Sequence, residues 1–136
     1  MCLNHSKPIS LKRKRSGYGY KIFSLYSNRI EFEWGFLGGR RECPAGEWLV
    51  AEMTGPRYVV RGMYRTGFHI FKSRKAALIS GAGHAYFDSC VIRVRYSDAF
   101  SEGMQNNYPA LVAGRLYVPK SELRRTKKIL DLRTEP

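Results

Sequence analysis

Acidic residues are what this chain has least of. Its 136 residues hold 11 Asp and Glu against 24 Lys and Arg, a net charge of +13. A balance so lopsided argues against a generic cytosolic enzyme and for a polyanionic or acidic partner, nucleic acid first and an acidic protein surface or a nucleotide second. Cysteine is also scarce and odd in number. Cys2, Cys43 and Cys90 cannot make a disulfide framework, and neither a charged-then-apolar leader nor a bilayer-length apolar run appears. The expectation is a protein without membrane association in the reducing interior of a cell. A catalytic signature is missing too. Cys2 and His5 stand at a metal-like spacing, but Cys43, Cys90 and His84 do not supply the second pair of a zinc knuckle, so neither a metal nor another cofactor is expected.

What is present fits one domain. At 43% hydrophobic the chain can bury a core but has no room for a second one. Residues 1–18 differ from the rest: Lys7, Lys12, Arg13, Lys14 and Arg15 occur with no acidic residue and little apolar content, which predicts a flexible basic arm. Such an arm is either a solvated tail or a phosphate clamp, with Tyr18 and Tyr20 offering flat faces to bases. The α+β domain is expected over 19–131, with 132–136 a frayed tail.

Tyr20–Tyr26 and Arg29–Phe36 read as a hairpin across Ser27-Asn28. In its second strand Ile30, Phe32 and Trp34 alternate with Arg29, Glu31 and Glu33, one side for the core and one for water. The glycines and proline of the 37–46 stretch predict an exposed loop, and Glu47–Met53 reads as a strand in preference to a short helix. Thr66–Gly83 is the centre of the chain. Phe68–Phe71 is a buried-strand signal, Ser73 an N-cap, Arg74–Ile79 a two-turn helix resting on the sheet through Ala76, Ala77, Leu78 and Ile79, and Gly81 its C′ residue. Ala85–Tyr96 predicts the longest strand, with Cys90, Ile92, Val94 and Tyr96 opposite Val91, Arg93 and Arg95. A polar loop over 97–109 follows, then a strand at Leu111–Pro119 and a helix at Glu122–Ile129 capped by Ser121, with Leu123 and Ile129 inward. The fold class is α+β: a strongly bent antiparallel sheet of about five to seven strands, barrel-like in its curvature, with one short helix packed on it and a short C-terminal helix.

Two further features bear on function. Arg57, Arg61, Arg65, Lys72, Arg74 and Lys75 follow one another without an acidic residue, interleaved with Tyr58 and Tyr64. Cations beside aromatic planes suit a groove that tracks a sugar-phosphate backbone, while the plainer reading spreads them over several solvated faces. His69, inside the central strand, is either a general base or a ring held in place by a hydrogen bond.

The segments Tyr20–Phe23 (YKIF), Gly67–Phe71 (GFHIF) with Ala76 or Ala77 after it, and Leu116–Pro119 (LYVP), together with Met1-Cys2, resemble a group of small phage and prophage accessory proteins of uncharacterised function. The resemblance implies an accessory role in the cytoplasm of a bacterial host. Three functions follow from charge and resemblance together. The first is a binding protein that inhibits a host nucleic-acid-linked or defence complex through an acidic protein or nucleoprotein partner. The second is a DNA- or RNA-binding module using the arm and the Arg57–Lys75 stripe. The third is a nucleotide-modifying enzyme with His69 in its site.

Overall fold

The computed structural model describes residues 3–10, 13, 15–26, 29–32, 42–51, 59–60, 64–65, 67–82 and 88–130. Its spine is one long strand, β8 (Asp88–Gln105). The first half of β8 pairs with β2 (Gly17–Tyr26), from Leu25 opposite Asp88 to Gly17 opposite Tyr96. Its second half pairs on the other edge with β9 (Tyr108–Tyr117) and on the first edge with β1 (Asn4–Pro8). The far edge of β9 takes β7 (Phe68–Phe71) and β4 (Trp48–Val50), and β3 (Arg29–Phe32) forms a hairpin with β2. All these pairings are antiparallel. Because Tyr20 of β2 also pairs with Phe71 of β7, the pairings run in a circuit β8–β2–β7–β9–β8 around a single interior. Among the described residues β5 (Val59–Val60) and β6 (Tyr64–Arg65) pair only with each other.

Period-two alternation, with one change of phase in β9 between the inward Leu111 and Leu116, explains how one sheet is apolar on both sides. Phe23, Phe68, Ile70, Ile92, Val94, Leu111 and Leu116 fill the interior, where Phe32 stacks between Phe23 and Phe68 at 5.5 and 6.0 Å. Ile22, Phe71, Val91, Ala110 and Val112 point the other way, into a second cluster with Leu3 and with Ala76 and Ala77 of helix α1 (Arg74–Ala82). Ser73 caps α1 as its position predicts: its Oγ accepts a hydrogen bond from the Ala76 N–H at 3.1 Å. The last helix, α2 (Lys120–Ile129), closes the interior with Leu123.

Several expectations change. The arm is not free: Asn4–Pro8 is a sheet strand, and Leu3 is buried in the cluster beneath α1. β2 begins at Gly17, inside the span assigned to the arm. The polar 97–109 segment is not a loop. β8 runs through it to Gln105, and Asn106 and Asn107, with φ of 51° and 67°, make a two-residue turn into β9. Asparagine tolerates that left-handed backbone, which suits a tight hairpin turn. Glu31 is buried, not water-facing, because Glu42 bridges to it and the Cys43 N–H donates to the Ile30 carbonyl at 2.7 Å. Leu78, Ile79 and Ile129 are exposed. Gly81 lies within α1 instead of beyond it, and it lets the helix approach β8, since a Cβ there would come within 2.9 Å of Ser89 Oγ. Pro119, not Ser121, stands at the N-cap of α2. Trp34, Glu33 and residues 132–136 lie outside the described residues.

Candidate nucleic-acid interface

The sheet register aligns one row of side chains across four strands. Tyr18 of β2 pairs with Arg95 of β8, Arg95 with Tyr117 of β9, and Tyr117 with Trp48 of β4. Residues directly opposite in neighbouring strands share a face, so these four stand side by side. Three strand spacings separate its ends, about 14 Å.

The row is held by contacts between cations and rings. The Arg95 guanidinium lies 5.7 Å from the Tyr18 ring centre and 5.6 Å from those of both Trp48 and Tyr117. Arg93, two residues before Arg95 and therefore on its face, sits 4.3 Å over Tyr18. Arg115 lies 5.4 Å from Trp48, and the Trp48 and Tyr117 rings are 5.4 Å apart at 48°. One step along β2, Tyr20 carries Arg74 from the first turn of α1 at 5.0 Å. Tyr18 is 55% exposed and Trp48 36%, and Arg93, Arg95 and Arg115 are exposed. A guanidinium held beside aromatic rings keeps N–H donors that match phosphate oxygens. Exposed rings can take bases by stacking.

The expected site residues are distributed differently. Of the arm, Lys12 and Lys14 lie outside the described residues, and Tyr18 joins the row. Arg13 and Arg15 are tied to β8. Arg15 Nε donates to the Ala99 carbonyl at 2.7 Å, and Arg13 Nη1 donates to Glu102 Oε1 at 2.5 Å. Glu102 is buried and also meets Lys72 at 3.4 Å and Lys7 at 3.9 Å. Burial pushes its carboxyl up, but Arg13 and Lys72 together outweigh this and hold it below the usual value. Of the stripe, Arg57, Tyr58 and Arg61 lie outside the described residues, as do the side chains of Tyr64 and Arg65. Lys72 serves Glu102, Arg74 serves Tyr20, and Lys75 is exposed on α1. Among the described residues the stripe is therefore not one surface.

His69 is partly buried, and its Nδ1–H donates to Gln105 Oε1 at 3.0 Å. Desolvation lowers its pKa to about 4, reinforced by the charge of Lys21 and opposed by the Gln105 bond. The ring is neutral at pH 7 and bonded to a side chain that does not titrate, which favours the reading of a ring held in place. Burial pushes the Cys43 and Cys90 thiols up to about 12, so neither is an activated nucleophile. Among the described residues no group of three His, Cys, Asp or Glu could hold a metal ion, and no helix is long and apolar enough to cross a membrane.

Sequence reading named Tyr18 but missed Arg95, Arg115, Trp48 and Tyr117 as a set. The signal for Arg95 was present, since Arg93 and Arg95 alternate with Ile92 and Val94 and must face away from the core. Their aromatic neighbours come from strands far off in sequence, and only the register joins them. No protein-family model, no curated protein and no solved structure matches the chain.

Proposed function

We propose that this protein binds single-stranded nucleic acid on the outer face of its sheet, along the row from Tyr18 to Trp48. The observation that carries the reading is the alignment of Tyr18, Arg95, Tyr117 and Trp48 by direct strand pairing. Arginines on a solvated sheet face often do no more than stabilise cross-strand neighbours. Here four of them accompany four aromatic residues on a chain of net charge +13, the combination that lets a strand lay phosphates on cations and bases on rings. A sheet face with exposed aromatics takes about two or three stacked bases, in keeping with a row about 14 Å long. Duplex, whose bases are already stacked on each other, gains only the phosphate contacts.

The setting we attach to this activity is an accessory protein of phage type, acting on a host nucleic-acid-linked or defence complex in the bacterial cytoplasm. That setting rests on the resemblance of the YKIF, GFHIF and LYVP segments. A fluorescence-anisotropy titration with a labelled single strand and its duplex tests the activity. The single strand binds more tightly, and Trp48→Ala weakens it by about 1–3 kcal/mol, the loss of one stacked base. Absence of single-strand binding, or equal binding by wild type and Trp48→Ala, removes the reading.

A further inference from the structure

Helix α1 shows its large apolar side chains to the outside. Ala76, Ala77, Ser80 and Gly81 rest on the sheet, while Leu78 and Ile79 are 52% and 46% exposed. The end of α2 does the same, with Ile129 at 71% and Leu130 at 38%. An amphipathic helix packed on a sheet normally spends its large residues inward. Leu78, Ile129 and Leu130 converge on one open groove of about 250 Å³ between the two helices, over Val91 of β8. That volume lies under the roughly 300–1,000 Å³ of small-molecule sites, and it suits a few apolar side chains presented by a larger partner.

Charge narrows the partner. Arg74 from α1 and Arg125 from α2 also line the groove, against one carboxylate among the described residues, that of Glu122, and Lys75, Arg124 and Lys128 stand exposed on the same two helices. We propose that this groove docks an amphipathic helix of a partner protein, its apolar face inward and its flanks acidic. Helices lie in apolar grooves through anchors at three- and four-residue spacing, and complementary charge on the flanks sets orientation and rejects basic competitors. The site is separate from the aromatic row except at Arg74, which contributes to both.

Two synthetic helical peptides with the same leucine stripe, one flanked by Glu and the other by Lys, test the proposal beside vesicles of equal parts phosphatidylcholine and phosphatidylglycerol. The Glu-flanked peptide binds saturably and shifts the backbone amide resonances of Leu78, Ile129 and Leu130. Leu78→Ser weakens that binding by about tenfold or more, as loss of an interface anchor does, with the melting temperature unchanged because the side chain is exposed. Ile129→Ser, near the end of α2, gives the same result and serves if Leu78→Ser folds poorly. Both variants keep wild-type affinity for a single-stranded oligonucleotide, so failure of the docking site and failure of the sheet-face reading are told apart. The proposal is overturned if neither peptide binds, if the two bind equally, or if the variants lose vesicle binding and not peptide binding, which assigns the face to an anionic membrane.

Discussion

Two side chains, His69 of β7 and Glu102 of β8, link stability to pH, and they act in different pH windows. His69 has its pKa lowered from 6.5 to about 4, so below pH 6.5 the unfolded chain takes up a proton that the folded chain refuses. Stability therefore falls as pH falls from 6.5 towards 4 and is level below that. Each unit of pH inside the window is worth about 1.4 kcal/mol, so about 2 kcal/mol is lost between pH 7 and 5. Glu102 has the opposite charge and a lower window. Its folded value is depressed from 4.5, so its contribution is complete above 4.5 and disappears as pH drops through the lowered value. Lys7, Arg13 and Lys72, the cations around it, remain 45–71% exposed, which keeps that contribution near the small values of solvent-screened pairs. Urea midpoints at the two pH values check the first window. The wild type loses stability between them and His69→Gln loses markedly less; parallel losses in the two proteins would show that the ring at 69 is not the titrating group.

At the scale of elements, the first strand and the β2–β7 seam carry more than their composition suggests. Deleting residues 1–9 removes β1, the buried Leu3 and Ile9, which packs against the interior cluster. Burial of a leucine side chain alone is worth about 1.5–3 kcal/mol, so the truncated protein melts well below the full chain, and an unchanged melting temperature contradicts the placement of β1. Gly19 stands where β2 meets β7. A Cβ there would run into Ile70 Cγ2 and come within 3.0 Å of the Phe71 carbonyl oxygen. Gly19→Ala must part the strands or displace Ile70, at a cost of about 1–3 kcal/mol for an overpacked site, read as a lower urea midpoint with unchanged slope. Local signals were legible where one element explains itself. Ser73 before α1, the alternation of Ile30 with Phe32 and of Ile92 with Val94, and the β2–β3 hairpin all stand where the sequence puts them. What failed depended on partners distant in sequence. The 1–18 segment reads as a tail because its apolar residues are few, yet Leu3 and Ile9 anchor it once β8 offers an open edge. The 97–109 stretch reads as a loop because it is polar and holds Gly103 and Asn106-Asn107, yet Ser101, Glu102 and Gln105 are buried in it. Arg13, Lys72 and His69 bring Glu102 and Gln105 the bonds that let them be buried.

At the scale of the whole molecule, the charge of +13 will draw any polyanion inward, so binding alone does not identify the surface used. The salt dependence and the aromatic dependence together do. Each phosphate neutralised on a single strand contributes a slope of about −0.7 to the logarithm of the binding constant against the logarithm of salt. If Arg93, Arg95 and Arg115 each meet one phosphate, the row accounts for a slope of about −2.1, and Arg95→Ala flattens the measured slope by about 0.7. Trp48→Ala behaves differently. It weakens binding at every salt concentration and leaves the slope where it was, because stacking releases no counterions. Diffuse attraction to a basic surface gives neither pattern, since one lost cation among 24 Lys and Arg changes little and one lost ring changes nothing. Docking on an acidic protein surface gives a third outcome, salt-sensitive association with that protein and negligible affinity for the free strand at physiological salt. Titrations of wild type, Arg95→Ala and Trp48→Ala at several salt concentrations separate all three. A slope reduced only by Arg95→Ala, beside an affinity reduced by both variants, assigns phosphates to the arginines and bases to the rings of the same row.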